Sequence, residues 1–218
     1  LMGKDEDNKG NPIPREERLN LAKKFVKAGC VSAGYSLESG SDEILKAMNK
    51  KVKSKYFKEQ VLICREAGLV TNTSLVMGYP QETSETIKQT MTQLEKLKVY
   101  PSTGFLLPLP ETKMWTYAIE NNHIADIDHY LTQITERQDF SLNLTKMSEE
   151  QLKNETVDWL ERLNKSVGGS LSKEKLLKTG GYDEHSKHQN SKERKALVDR
   201  NSTTRETLNY ATQEGTMR

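Results

Sequence analysis

Residues 35–42 read Tyr-Ser-Leu-Glu-Ser-Gly-Ser-Asp, and residues 74–83 read Ser-Leu-Val-Met-Gly-Tyr-Pro-Gln-Glu-Thr. Each stretch is an apolar run that ends in a polar, glycine-containing turn and leads into a helix with Ser, Thr or Asp near its start. In a parallel β/α arrangement, such turns lie at the carboxyl edge of the sheet, where ligands bind. The two turns are therefore predicted to face one mouth and to form a binding site.

The hydrophobic periodicity between residues 16 and 163 predicts alternating strands and helices. Strands are predicted at 30–38, 69–77 and 104–107, and helices at 15–28, 41–48, 54–67, 83–97, 112–121, 125–133 and 148–163. The order β-α-β-α-β favours parallel strands joined by right-handed crossovers. Three strands cannot close a barrel, and the chain begins with Leu1 rather than Met. A fragment of a larger α/β fold is therefore favoured over a small open α/β domain.

The composition divides the chain into a loop, a folded core and a polar tail. Hydrophobic residues make up 34% of the 218 residues, which is low for a compact globule, and they concentrate in the middle of the chain. Residues 1–14 are predicted to form a loop, and residues 15–165 the α/β core. Residues 166–218 are predicted to form a mostly disordered tail, because short apolar islets in a polar segment cannot bury enough surface to fold.

The charge pattern excludes some classes of partner. The 33 Lys and Arg residues are evenly mixed with 31 Asp and Glu residues, giving a net charge of +2. This balance predicts no general basic field for nucleic acid and no acidic field for cations. No apolar run is long enough to span a membrane, and a cytoplasmic location is expected. Cys30 and Cys64 are interpreted as buried thiols in a reducing compartment, since their spacing is not that of a metal site.

Several short segments, in the same order along the chain, resemble the radical S-adenosylmethionine (SAM) superfamily. They are residues 28–30, 37–45, 48–50, 66–68, 78–86, 108–112 and 143–148. Together they cover about residues 20–152. The most similar subgroup consists of the iron–sulfur oxidoreductases that often carry an amino-terminal cobalamin (B12)-binding domain.

The resemblance implies a partial (β/α)6 TIM-like barrel, of which this chain would supply the carboxyl-terminal half. In the family, a Cys-x3-Cys-x2-Cys loop after the first strand holds a [4Fe–4S] cluster, whose open iron binds SAM. Cys30 and Cys64 do not match that loop, so the cluster ligands are expected in a missing amino-terminal half. The subgroup also implies cobalamin as a candidate cofactor, held by a missing amino-terminal domain.

The resemblance implies cofactor-binding positions at the ends of the strands: Glu38, Ser39, Ser74, Val76, Gly78 and Leu107. Glu38 would contact the SAM ribose, because a carboxylate can accept hydrogen bonds from both hydroxyls of a diol. The alternative for Glu38 is a cap of the following helix. Ser39 would orient the same end of the ligand or serve only as a turn hydroxyl.

The remaining implied contacts involve the next two strands. Ser74 would face the ribose, or its hydroxyl would be satisfied by the strand backbone. Val76 would pack on the adenine or in the core. Gly78 would let the backbone approach the base or permit a tight turn, and Leu107 would lie near the adenine.

Other polar groups receive structural interpretations. Glu82 is expected to be a first-turn helix charge rather than a ligand. The run 135–140 could line the substrate side, although a solvated loop is favoured, and His123 and His129 are expected at the surface. No catalytic residue and no metal ligand is assigned within the chain.

The favoured function is therefore part of a radical SAM enzyme. The intact protein would cleave SAM reductively to a 5'-deoxyadenosyl radical that acts on an unknown small-molecule substrate, whereas this chain alone would be inactive. The alternative is a non-catalytic α/β binding or interaction module that retains the half-barrel. A Cys-x3-Cys-x2-Cys loop encoded upstream of Leu1 would distinguish the two.

The chain alone is predicted to retain no iron–sulfur cluster, because a cluster needs several thiolates that converge on one site and the chain contains two cysteines. Anaerobic reconstitution with iron and sulfide, followed by quantitation of protein-bound iron, measures this. Stoichiometric iron that is lost in Cys30→Ser or Cys64→Ser would contradict the prediction.

Overall fold

The computed structural model describes residue 7, residues 13–134 and residues 140–177. Strands β1 (Ser32–Glu38), β2 (Val70–Met77) and β3 (Ser102–Phe105) form a parallel sheet in the order β1-β2-β3. The helices are α1 (Arg15–Lys27), α2 (Asp42–Ala47), α3 (Ser54–Ala67), α4 (Ser84–Leu97), α5 (Lys113–Glu120), α6 (Ile127–Gln133) and α7 (Glu149–Ser166). The predicted α/β class with parallel strands is confirmed. The chain divides into two units, Leu1–Lys178 and Thr179–Arg218, and the second lies outside the described residues.

The third strand begins and ends two residues earlier than its predicted bounds of 104–107. Its pairing with β2 runs over residues 102–105. The backbone N–H of Leu106 still donates to the carbonyl of the last β2 residue at 2.7 Å. Beyond that point β2 has ended, and Pro108 has no N–H to donate. Leu107 therefore lies past the sheet.

The two faces of the sheet differ in exposure, because successive side chains along a strand point to opposite sides. One face packs against helices and carries Tyr35, Leu37, Thr73, Leu75, Met77 and Phe105. The opposite face is exposed or partly exposed and carries Ser32, Gly34, Ser36, Val70, Asn72, Ser74, Val76 and Ser102. We call this second surface the open face.

The main core lies between the covered face of the sheet and helices α3, α4 and α7. Its fully buried helix residues include Val61, Ile87, Met91, Leu94, Leu152, Leu160 and Leu163. Burying a side chain of this size contributes about 1.5–3 kcal/mol. A bidentate ion pair between Arg162 and Glu95, with an Nε–Oε1 distance of 2.7 Å, joins the exposed sides of α7 and α4. Helix α4 is thus held between the sheet and α7.

Several helices begin at capping residues that the sequence supplies. Thr83, Thr112, Asp126 and Ser148 each accept a hydrogen bond from the backbone N–H three residues later. At the start of α7, the Gln151 N–H donates to the Ser148 hydroxyl at 3.1 Å. Each such cap satisfies an N–H that has no partner within the helix.

The two cysteines occupy different environments. Cys64 is buried in the cluster between α1 and α3, as predicted, but Cys30 is exposed. The prediction of a buried thiol at position 30 is therefore wrong. Cys30 follows the end of α1, where its backbone N–H donates to the carbonyl of Phe25 at 2.9 Å. That bond holds it in the connection before β1, outside the packed helix interface.

Part of the segment predicted as a disordered tail packs on the core. Helix α7 extends to Ser166, and a 3-10 turn follows at Lys173–Lys175. Leu176 is fully buried, and its carbonyl accepts a 2.9 Å hydrogen bond from the hydroxyl of Tyr100. Residues 178–218, and most of the predicted loop at 1–14, lie outside the described residues.

The turn after β1 packs directly on the backbone of α4. A Cβ added to Gly40 would lie 2.7 Å from the Cα of Thr90, closer than nonbonded carbon atoms approach. The N–H of Gly40 donates to the Thr90 hydroxyl at 2.9 Å. Only glycine fits here without displacing the helix.

Gly40→Ala is expected to lower the free energy of unfolding by about 1–3 kcal/mol, because overpacking forces the turn away from α4. Urea midpoints measure this loss. Gly34→Ala is the matched control, since a Cβ added to Gly34 meets no atom within 4 Å. Equal losses in the two variants would contradict the close approach.

Candidate functional site

The two turns that follow β1 and β2 lie at the same edge of the sheet, as predicted. Strands β1 and β2 are parallel neighbours, so their carboxyl ends are adjacent. The first turn, residues 38–42, leads into α2, and the second turn, residues 78–83, leads into α4. We call this edge with its two turns the candidate site.

Glu38 lies in a strained part of the first turn. Its φ is +64°, and the N–H of Ser39 donates to the carbonyl of Leu37 at 2.8 Å, which makes a three-residue γ-turn. The pairing with β2 shifts register between Ser36 and Glu38. A non-glycine residue held at positive φ costs conformational energy, and such residues concentrate at functional sites. The geometry supports a ligand role for Glu38, which stays a prediction.

Glu38 has a cationic partner that the sequence interpretation did not assign. The Nζ of Lys50 lies 3.2 Å from Oε1 of Glu38, and the Glu38 side chain is 16% exposed. The backbone N–H of Lys50 donates to the carbonyl of Leu45 at 2.8 Å, so the chain turns back after α2. The signal in the sequence was the short basic run at 50–53, which directly follows the helix after β1.

Ser39 is buried within the first turn. Its hydroxyl oxygen accepts a 3.2 Å hydrogen bond from the N–H of Ser41 and lies 3.2 Å from the hydroxyl oxygen of Thr90. These contacts match the structural alternative, a turn hydroxyl. A ligand role for Ser39 stays a prediction.

The middle strand places Ser74 and Val76 on the open face, both partly exposed. Ser36, Ser74 and Ser102 pair across the three strands at one level of the sheet. Neighbouring strands are about 4.8 Å apart, so the three hydroxyl-bearing residues line a short polar row. One level higher, Val76 pairs with Gly104. The sugar of a nucleoside could hydrogen-bond to the three serines, and its base could pack on Val76.

The second turn is held by contacts on both sides. Gly78 has φ +94°, a region that favours glycine, so a side chain there would strain the backbone. Tyr79 is buried, and its hydroxyl donates to the carbonyl of Ala47 at the end of α2 at 3.1 Å. This bond ties the second turn to the helix that follows the first turn.

Glu82 is buried and lies two residues before the start of α4, so the expectation of a charge in the first turn of the helix is wrong. Its side chain is 2% exposed. Oε2 accepts a 3.4 Å hydrogen bond from the N–H of Gly78, and Oε1 lies 2.7 Å from the hydroxyl oxygen of Thr86. Burial raises the pKa of the Glu82 carboxyl to about 7, although the hydrogen bonds from Thr86 and Gly78 oppose the rise. No local pattern predicts this burial, because Glu82 precedes the helix, which begins two residues later.

Leu107 lies just past β3 and is partly exposed. The N–H of Leu106 donates to the carbonyl of Met77, which directly precedes the second turn. A cofactor-binding role for Leu107 stays a prediction. Farther along, Glu111 has φ +66°. The left-handed region favours glycine, so Glu111 holds a strained backbone conformation in this turn.

The polar run 135–140 is only partly described. Residues 135–139 lie outside the described residues. Phe140 packs edge-on against Phe105, with ring centroids 4.8 Å apart. The prediction of a substrate-lining or solvated loop therefore remains open.

No group of three or more His, Cys, Asp or Glu side chains in residues 13–134 and 140–177 could hold a metal ion. His129 is exposed, as predicted, and His123 is partly exposed and stacks on Tyr117 with ring centroids 6.0 Å apart. Within the same residues, no helix is long and apolar enough to cross a bilayer.

Comparison with known protein families identifies the superfamily. The model for the Radical SAM superfamily matches residues 11–94, which include both turns of the candidate site. Residues 11–94 belong to the radical SAM superfamily. The predicted resemblance to the superfamily is thereby confirmed, whereas the subgroup with a cobalamin-binding domain stays a prediction.

Curated relatives carry two kinds of name. An uncharacterized methyltransferase of Pyrococcus horikoshii is 31% identical over 103 residues, which are 47% of this chain and 22% of the relative. A tRNA-2-methylthio-N(6)-dimethylallyladenosine synthase of Desulfosudis oleivorans is 30% identical over 89 residues, or 39% of this chain and 19% of the relative. The matched part of this chain thus spans about a fifth of each relative's length.

Among solved structures, coproporphyrinogen III oxidase from Escherichia coli, described as a radical SAM enzyme, aligns with this chain. The alignment has a TM-score of 0.44 and 18% sequence identity, and it covers 68% of this chain and 30% of the oxidase.

Glu82 should make stability depend on pH. Because its pKa rises from the usual 4.5 to about 7 on folding, the folded protein retains a proton that the unfolded chain loses. The contribution of Glu82 to stability should therefore be largest below about pH 4.5 and should fall between about pH 4.5 and pH 7 by about 1.4 kcal/mol per pH unit. Urea unfolding across this range, compared with Glu82→Gln, isolates the contribution.

The matched control is Glu85→Gln, which removes an exposed carboxylate from the same helix. It should retain the wild-type slope, whereas Glu82→Gln should lose the part due to Glu82. The same slope in all three proteins would show that Glu82 is ionised when folded.

Proposed function

We propose that this chain binds the adenosyl part of SAM at the candidate site and forms the carboxyl-terminal half of a radical SAM enzyme. The observation that carries the proposal is the strained Glu38 turn, placed beside the open face of β2 within a segment of the superfamily. SAM supplies, when bound beside its cluster, an organic radical that abstracts hydrogen from a substrate.

The described residues suit the nucleoside part of SAM. The Glu38 carboxylate would accept hydrogen bonds from ribose hydroxyls, while Lys50 at 3.2 Å orients the carboxylate. Ser74 would bond the sugar from the open face, and Val76 would pack on the base. Gly78 would let the backbone approach the base edge, with Leu107 on the other side. Holding the nucleoside at several points fixes where its reactive carbon lies.

The described residues do not fit an iron–sulfur cluster. Cys64 is buried between helices and Cys30 is exposed in the connection before β1, so the two thiols belong to different environments. The cluster ligands are proposed to come from an amino-terminal half of the barrel. In the described part of the chain β1 pairs only with β2, which leaves its outer edge for such a partner strand.

The names of the similar proteins suggest the type of reaction but not the substrate. The names of the relatives favour a reaction that transfers a methyl or methylthio group. Use of cobalamin stays a prediction of the sequence resemblance. The proposed division is a core at 15–165 followed by a separate tail.

Glu38→Gln should weaken SAM binding more than it weakens folding. Loss of a charged acceptor costs about 1.5–3 kcal/mol, which is about ten- to over a hundred-fold in Kd at about 1.4 kcal/mol per decade. Calorimetric titration of SAM into cluster-loaded protein that contains this chain and the cysteine loop gives Kd, and the urea midpoint gives stability.

Glu43→Gln is the matched control, because Glu43 is exposed in the first turn of the adjacent helix α2. It should leave the Kd of SAM unchanged. An unchanged Kd in Glu38→Gln with a lowered urea midpoint would make Glu38 a structural residue. Absence of SAM binding in the wild type would favour a non-catalytic binding module.

A further inference from the structure

A chain of buried hydrogen bonds connects the second turn to helix α4. It starts at the N–H of Gly78, which donates to Oε2 of Glu82 at 3.4 Å. Oε1 of Glu82 lies 2.7 Å from the hydroxyl oxygen of Thr86 in the first turn of α4. Glu82 and Thr86 are 2% and 3% exposed, so water does not compete for these bonds.

This series of hydrogen bonds continues from Thr86 to Thr90 along α4 and ends at the loop that follows β1. The Thr90 hydroxyl donates to the carbonyl of Thr86 at 3.0 Å. Its oxygen accepts the N–H of Gly40 at 2.9 Å and lies 3.2 Å from the hydroxyl oxygen of Ser39. Thr90 is 1% exposed. The backbone of the first turn is therefore held by a side chain fifty residues away.

The polar character of this part of α4 is unusual for its position. Thr86 and Thr90 lie on the buried side of the helix together with Ile87, Met91 and Leu94. Polar groups at such positions cost free energy unless each is paired. Here every hydroxyl contacts a turn of the candidate site or the backbone that leads to it, which gives the threonines a positioning role.

We propose that Glu82 is a positioning residue that couples the two turns of the candidate site, through Thr86 and Thr90, and that its proton controls this coupling. Only the consequence of this coupling, the placement of the groups that contact SAM, rests on the proposed function. The coupling itself concerns this chain alone.

The proton matters because Thr86 has one hydroxyl hydrogen and two acceptors within reach. These are Oε1 of Glu82 at 2.7 Å and the carbonyl of Thr83 at 2.9 Å. A neutral Glu82 donates to the Thr86 oxygen, so the Thr86 hydroxyl is free to donate to Thr83. An ionised Glu82 can only accept, which turns the Thr86 hydroxyl toward the carboxylate. Deprotonation therefore changes the first link of the chain.

The ionisable groups near Glu82 on the neighbouring elements have other partners. On α4, Lys88 lies 3.9 Å from Glu85, and both side chains are more than 60% exposed. On α7, Glu155 accepts a 2.7 Å hydrogen bond from the hydroxyl of Ser84. On the turn itself, the hydroxyl of Tyr79 points to the end of α2. None of these groups pairs with Glu82 among the described residues, and burial sets its pKa near 7.

The test follows backbone amide resonances of the 218-residue chain by NMR from pH 5.5 to 8.5. In the wild type, the Gly78 and Gly40 amides should shift with one common midpoint near pH 7. In Glu82→Gln both inflections should disappear. The amide of Gln can donate to Thr86 and accept from Gly78, so this variant should stay folded.

Thr90→Val is the second variant, since it keeps the shape of the side chain and removes the hydroxyl. The Gly78 amide should still titrate near pH 7 in this variant, while the inflection at Gly40 is lost. Glu85→Gln is the matched control and should behave as the wild type at both glycines. A Gly40 amide that does not respond to pH in the wild type, or that still responds in Thr90→Val, would overturn the coupling.

Addition of SAM to the same samples separates this proposal from the proposed function. Coupled titration with no shift of any amide in the two turns on adding SAM would support the coupling and contradict SAM binding by this chain. Shifts on adding SAM without coupled titration would support the site and overturn the role of Glu82.

Discussion

The contact between the backbone of Gly40 and the backbone of Thr90 is the constraint on which the rest of the site depends. With 2.7 Å between an added Cβ and the helix Cα, no side chain can separate the first turn from α4. Since α4 itself begins at the end of the second turn, one helix fixes both turns of the candidate site. The main core then fixes the helix, because α4 is buried between the sheet and α7.

This arrangement explains why strain at Glu38 can persist. A residue at positive φ relaxes unless its neighbours are held on both sides. Leu37 is anchored in the core, and Gly40 is bonded to Thr90. The cost of the γ-turn is therefore offset by packing that lies outside the site. If the Glu38 carboxylate binds a ligand as proposed, it would need little reorganisation on binding.

Much of the fold could be predicted because it follows local rules. The apolar periods of α3 and α4 and the cap at Ser148 specify their elements from a few neighbouring residues. The end of β3 could not be predicted, because it depends on where β2 stops. Buried Glu82 and exposed Cys30 were missed for the same reason, since the burial of a single side chain depends on distant segments.

In the candidate site, too, strand patterns could be predicted from neighbouring residues, whereas contacts between distant residues could not. Ser74 and Val76 share the open face because they are two residues apart on a strand, which the sequence alone specifies. The ion pair of Glu38 with Lys50, and the contacts of Ser39 with Thr90, join residues 12 and 51 positions apart. Such pairs are set by tertiary packing.

The open face carries serine, glycine, asparagine and valine, and none of its side chains has a formal charge. A ligand bound there as proposed would meet dipoles and small apolar groups, so shape and hydrogen-bond pattern would decide which ligands fit. The nearest charged groups described at the site are Glu38 and Lys50, at the rim. If a ligand binds here as proposed, its charged groups would meet Glu38 and Lys50 at the rim before its uncharged parts reach the sheet.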